Sequence, residues 1–193
     1  MNKKYIKGIL IILLSLSFSS HINAQKKVAL KANIPHWATA SPNLGVEVAL
    51  RHRLTLEISG GLNPFTFKDD KQWKHWVIWP EIRYWPWEAF NGHSIGLHGV
   101  FAEFDVGGFD LSISKLAPLK ERRYEGNING IGLSYGYAWI IGNSMVLEIT
   151  AGGGYARLNY DVFTHGDGGY QINYGKKHYI SPTKGAISLV YLF

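Results

Sequence analysis

Six charged residues fall on the polar side of alternating segments: Lys31, Glu47, Glu57, Glu81, Arg83 and Glu148. Most are flanked by Gly, Ala, Ser or Thr. Four carboxylates with two cations suit an ion-pair network more than a catalytic dyad. Residues two apart in a strand share a face, so Glu81 and Arg83 point the same way. Arg83 is then placed to pair with Glu57 or Glu148 across neighbouring strands. Such a set either gates a small pore or plugs a narrow barrel. The plug is the better reading, because eight strands leave an interior that side chains fill.

The eight histidines offer little more. Zinc needs three or four converging ligands, and neither His-x-x-x-His nor Glu-x-x-His spacing occurs. His165-Gly-Asp167, His178 and His75 read as surface or strand-edge residues. A lipid hydrolase, such as the small outer-membrane barrels that deacylate lipid A, is the sharper alternative. A serine nucleophile needs a base within hydrogen-bond reach, which on a strand favours His-x-Ser. The chain instead has His93-Ser94, whose side chains point to opposite faces, and His98 has Gly96 and Val100 as same-face neighbours. The sequence therefore assigns no catalytic residue, no metal ligand and no cofactor.

The elements that must position these residues are strands. Period-two alternation dominates after residue 27. Leu54, Leu56 and Ile58 oppose Thr55, Glu57 and Ser59; Ile131, Leu133, Tyr135, Tyr137 and Trp139 oppose Gly132, Ser134, Gly136 and Ala138. Eight strands are predicted, over 28–37, 43–50, 54–65, 75–86, 93–104, 128–140, 144–157 and 179–193. Gly60-Gly61 and Gly152-Gly153-Gly154 inside them predict bulges or bends. Short connections at 51–53, 88–92 and 141–143 alternate with long ones at 105–127 and 158–178, rich in Gly, Asp, Asn and Lys. Short turns at one end and long loops at the other is the outer-membrane barrel pattern.

The N-terminus has another role. Lys3, Lys4 and Lys7 precede the apolar run Ile9 to Phe18 and a small-residue region, which predicts a signal peptide over 1–24 and a barrel domain over 25–193. The run is too short to span a bilayer as a helix, which takes about 20 residues. Loss of those three lysines would bring the formal charge from +6 to +3. No basic stripe with interleaved aromatics marks a nucleic-acid binder. The absence of cysteine excludes disulfides and thiolate metal sites.

A soluble sandwich and a membrane barrel share this alternation and differ in which face meets water. Aromatics at strand ends predict two girdles: Trp85, Trp87, Trp139, Tyr191 and Phe193 at one end, and Trp37, Phe65, Phe67, Trp73, Trp76 and Tyr160 at the other. The last strand puts Ile187, Leu189, Tyr191 and Phe193 on one face. Tyr191 and Phe193 resemble the signal that outer-membrane barrels present to their insertion machinery. The fold expected is an all-β, transmembrane, antiparallel up-and-down barrel in the bacterial outer membrane.

Several strings carry a family resemblance: Ser41-Pro-Asn-Leu-Gly-Val-Glu47, Ser59-Gly-Gly-Leu-Asn-Pro-Phe65, Trp73-Lys-His-Trp76, Pro80-Glu-Ile-Arg-Tyr-Trp85, Gly130-Ile-Gly-Leu-Ser-Tyr-Gly136 and Ser181-Pro-Thr-Lys184. In these the chain resembles the Bacteroidetes envelope proteins grouped as the domain of unknown function 3575 (DUF3575). The resemblance implies a barrel-like fold and a neighbourhood of fimbrillin-type genes. It lends no catalytic residue. The function expected is non-enzymatic, a structural or interaction role carried by loops 105–127 and 158–178. The partners expected are outer-membrane lipid and lipopolysaccharide, the insertion machinery and a surface or fimbrial protein. A lipid-acting barrel enzyme and a small pore are the alternatives.

Overall fold

The computed structural model describes residues 26–65, 72–108, 122–164 and 169–193. Eight antiparallel strands follow one another: β1 (Val28–Asn33), β2 (Asn43–Arg51), β3 (Leu54–Asn63), β4 (Gln72–Tyr84), β5 (Gly92–Gly107), β6 (Arg122–Ile140), β7 (Met145–Thr164) and β8 (Gln171–Leu192). Each pairs with the next, and β1 also pairs with β8, so the single sheet closes on itself as a barrel. The turns at 52–53, 85–91 and 141–144 lie at one end, which we term the turn end. The opposite end is the mouth.

The wall has uneven height. β1 has six residues and β8 has 22. They pair only through residues 188–192 of β8. The longer strands β5 to β8 therefore rise past β1 to β3 as an extension of the sheet.

Three expectations change. The first strand stops at Asn33, and Ile34–Ala38 forms a short helix, α1, with Pro35 in its first turn. Proline fits there because the first N–H groups of a helix lack intrahelical partners anyway. The segments 105–127 and 158–178, expected as loops, carry strand at both flanks: β5 reaches Gly107, β6 starts at Arg122, β7 reaches Thr164 and β8 starts at Gln171, with 109–121 and 165–168 outside the described residues. Their Gly, Asn and Asp content hid an alternation that continues with its polarity reversed. Gly60 and Gly61 keep continuous register with both neighbours and form no bulge, whereas the register does shift between Gly152 and Gly153. The predicted signal peptide, Phe67 and His165-Gly-Asp167 lie outside the described residues.

The turn between β4 and β5 shows how the barrel floor is held. Phe90 adopts a left-handed backbone (φ 68°) ahead of Gly92 (φ 72°). Its ring is buried 6.1 Å from Trp85. Ala29, Ala138, Val146 and Val190 complete this apolar floor. The burial holds Phe90 in a conformation that L-residues seldom adopt.

Candidate functional site

Strand alternation sends one set of side chains inward, and that set is charged. Above the apolar floor, Lys31 Nζ lies 2.8 Å from Glu47 Oε2, Glu57 Oε2 and Glu148 Oε1. Arg83 Nη1 donates to Glu47 at 2.9 Å, Glu148 at 3.0 Å and Glu57 at 3.3 Å. Its Nη2 donates to Ser94 Oγ at 2.8 Å, and its guanidinium stacks 4.7 Å from the Trp85 ring. Lys184 Nζ pairs with Glu57 at 2.9 Å and also with Glu81. The small polar neighbours finish the carboxylates: Thr55 donates to Glu47, Ser59 to Glu57, Ser134 to Glu81 and Thr150 to Glu148.

All six charged residues singled out in the sequence thus meet in one buried cluster. An isolated buried charge is costly, and pairing with added hydrogen bonds is what makes burial tolerable. Glycines make the room. A methyl added at Gly136 would come within 2.8–3.0 Å of Ser94, Arg83 and Thr150, and one at Gly96 would overlap Glu81 and Ser134.

Sequence reasoning missed Lys184, Thr183 and Trp79 and weighed His98 without naming its cross-strand partner; the four close the next layer. Trp79 on β4 donates its indole N–H to Thr183 O on β8 at 3.0 Å, reaching across the lumen. His98 Nε2 lies 2.8 Å from Thr183 Oγ1, and its buried Nδ1 has no hydrogen-bond partner among the described residues. At the mouth His36 from α1 sits edge-on to Trp79, with ring centroids 5.6 Å apart. Burial, with His75 beside it, pushes the His36 imidazole below the usual histidine value. Parity counted back from Leu189 and Ile187 on the outer face places Lys184 inside, a signal present in the sequence.

The outward set is apolar. Leu133, Ile58, Leu44 and Ile95 are each more than half exposed, and Leu56, Ile82, Leu97, Ile149 and Leu189 continue the same band. Tyr191 and Phe193 lie on this face, ring to ring at 4.8 Å. So do Trp37, Trp76, Trp87 and Trp139. Trp85 does not: it is fully buried in the floor, because it shares the inward parity of Glu81 and Arg83. Trp73 and Tyr160 are also on the inward parity of their strands and leave the predicted girdle.

Past Gly130 and Ala156 the polarity of both faces reverses while the register runs on unbroken from β5 to β7. Outward positions become Glu103, Asp105, Arg123, Glu125, Asn127, Asn129, Arg157, Asn159 and Asp161. Arg123 makes a two-pronged pair with Asp105 at 2.6 and 2.7 Å, and Asn159 donates to Asn127 at 2.9 Å. Inward positions become Phe104, Ile128, Leu158 and Val162, the last buried. From β5 to β7 the sheet thus wears its apolar side outward near the turn end and inward beyond it, while the upper part of β8 keeps Tyr174 and Ile180 exposed.

Residues 9–193 match the family model described as a protein of unknown function, DUF3575, and the chain belongs to that family. Neither the curated proteins nor the solved structures contain a match.

Proposed function

We propose that this protein is a bacterial outer-membrane β-barrel with a structural or interaction role, exported by its N-terminal signal peptide and closed to ion flow. The observation that carries this reading is the reversal of polarity along unbroken strands. Water outside and a dry core inside would give one sense of alternation throughout. Hydrocarbon outside the turn-end half and water outside the mouth-end half gives two. The outward apolar residues of β6 run from Ile131 to Trp139. That is ~27 Å along a strand and, at the usual tilt, ~20 Å across a bilayer, near the ~25 Å band of such barrels. An exposed apolar surface that encircles the barrel is foreign to soluble monomers.

A non-catalytic role is supported by enclosure: His98 meets the Thr183 hydroxyl at 2.8 Å, the pairing a nucleophile needs, but it is 1% exposed and shut away from a substrate. His93 and His178 contact the hydroxyls of Tyr135 and Tyr155. The polar outer ladder beyond the belt, rather than loop tips alone, is the surface we assign to a partner outside the bilayer, such as a surface or fimbrial protein. Membrane fractionation tests the reading. The protein should stay in outer membranes through carbonate extraction and shift its gel mobility on boiling. Recovery in the soluble periplasm would overturn the proposal.

A further inference from the structure

The outer wall carries a groove of about 620 Å³ at the upper edge of the apolar belt. Its floor is the backbone of Gly60. Leu44 and Ile78 stand directly opposite Gly60 on β2 and β4, so the bare glycine leaves a slot between two apolar walls. Leu62, Trp76 and Trp37 frame the top. We propose that this groove binds one acyl chain of a membrane lipid in the leaflet at the mouth end. The proposal rests on the membrane-barrel reading and deepens it.

Three observations choose a lipid chain over other occupants. Both tryptophans hold their rings along the apolar slot while their N–H groups are engaged at its polar margin: Trp37 donates to Asn43 O at 3.0 Å and Trp76 to Glu103 at 2.8 Å. That is the posture of an aromatic at a bilayer interface, apolar body inward and polar tip outward. Lys74 follows Trp76 on the same face, opposite Asp105, where the outer wall has turned polar. A headgroup would lie there when the chain lies below. Finally, β2, β3 and β4 already pair with their neighbours on both sides. The groove therefore offers no backbone partner to an entering peptide, whose own amides would be left unsatisfied. A hydrocarbon chain makes no such demand.

The groove also has room to be filled. A Cβ at Gly60 would meet Val77 O at 3.2 Å and Ile78 Cγ1 at 3.7 Å, a tight but passable fit, and its φ is not left-handed. Gly60→Phe should occupy the slot without breaking the sheet. Trp37→Ala removes one wall from α1 and leaves the barrel wall untouched. Ala151→Phe, outward on β7, is the control for added bulk.

The full mature chain is refolded with dipalmitoyl phosphatidylethanolamine, stripped stepwise with detergent and weighed by native mass spectrometry. Wild type and Ala151→Phe should keep one lipid per barrel after other lipids are gone. Gly60→Phe should keep none, and Trp37→Ala should lose it at an earlier step. Gel shift on boiling is read for every variant. A wild type that shifts but keeps no lipid, or a folded Gly60→Phe that keeps it, overturns the groove while the barrel reading stands. A lipid-free dimer would make the slot an interface between copies and also overturn it. A wild type that never shifts overturns the barrel reading itself.

Discussion

Lys31 and Arg83, on strands three positions apart around the barrel, hold the same three carboxylates, Glu47, Glu57 and Glu148. Loss of either would leave Glu47 and Glu148 sharing a single cation, since Lys184 reaches only Glu57 of the three. The network is thus shared, and its members should not behave independently.

Arg83→Ala should lower stability by about 3–5 kcal/mol, the usual cost of stranding buried charge. Adding Glu47→Gln to it should recover part of the loss, since contacting residues couple. Arg123→Ala is the contrast. Its pair with Asp105 is partly exposed, and such pairs are worth ~1 kcal/mol or less. Urea unfolding of refolded protein in lipid vesicles measures all three. Equal losses for Arg83→Ala and Arg123→Ala would contradict a sealed ionic lumen.

The lumen is crossed by Trp79, floored by Trp85 and filled between by the ion pairs. Planar-bilayer recordings of the wild type should show no steady conductance. A stable open level of defined size would mean that the interior is a pore.

Phe90→Ala tests the floor. Truncating a buried phenylalanine costs about 3–5 kcal/mol, and alanine relieves little of the left-handed strain, so the net effect should be destabilising. Phe90→Gly relieves the strain and should do less harm. Thermal unfolding of both variants reads the difference; equal losses would show that the backbone conformation contributes nothing.

The mouth should loosen in acid. The His36 imidazole titrates lower in the folded protein than in the unfolded chain. Below about pH 6.5, the ordinary histidine value, the unfolded state therefore binds more protons, and stability falls as pH falls. His36→Gln should flatten that slope. An NMR titration placing His36 at or above the ordinary value would reverse the prediction.

The lower half of the barrel was legible because its alternation is clean: Leu133 and Ser134, or Ile58 and Glu57, announce their faces by type alone. The charged set was legible for the same reason. The upper half was not. In Arg123 to Asn129 and Arg157 to Asp161 the alternation is intact but reversed, and Gly, Asn and Asp mimic loop composition. Trp85 was misplaced because aromatic type outweighed parity, although Arg83 two residues earlier fixed its side. The cross-lumen bond from Trp79 to Thr183 joins strands that are not neighbours, and no local pattern announces such a pair.

The most direct test reads the reversal itself. The native chain has no cysteine, so single cysteines can be placed at outward positions 123, 125, 127, 129, 131, 133 and 135 of β6. Each is labelled with a fluorophore and exposed to a lipid-borne quencher and to a water-borne one. Positions 131, 133 and 135 should respond to the lipid quencher, and 123 to 129 to the aqueous one. Aqueous quenching at all seven positions would contradict a barrel seated in a bilayer.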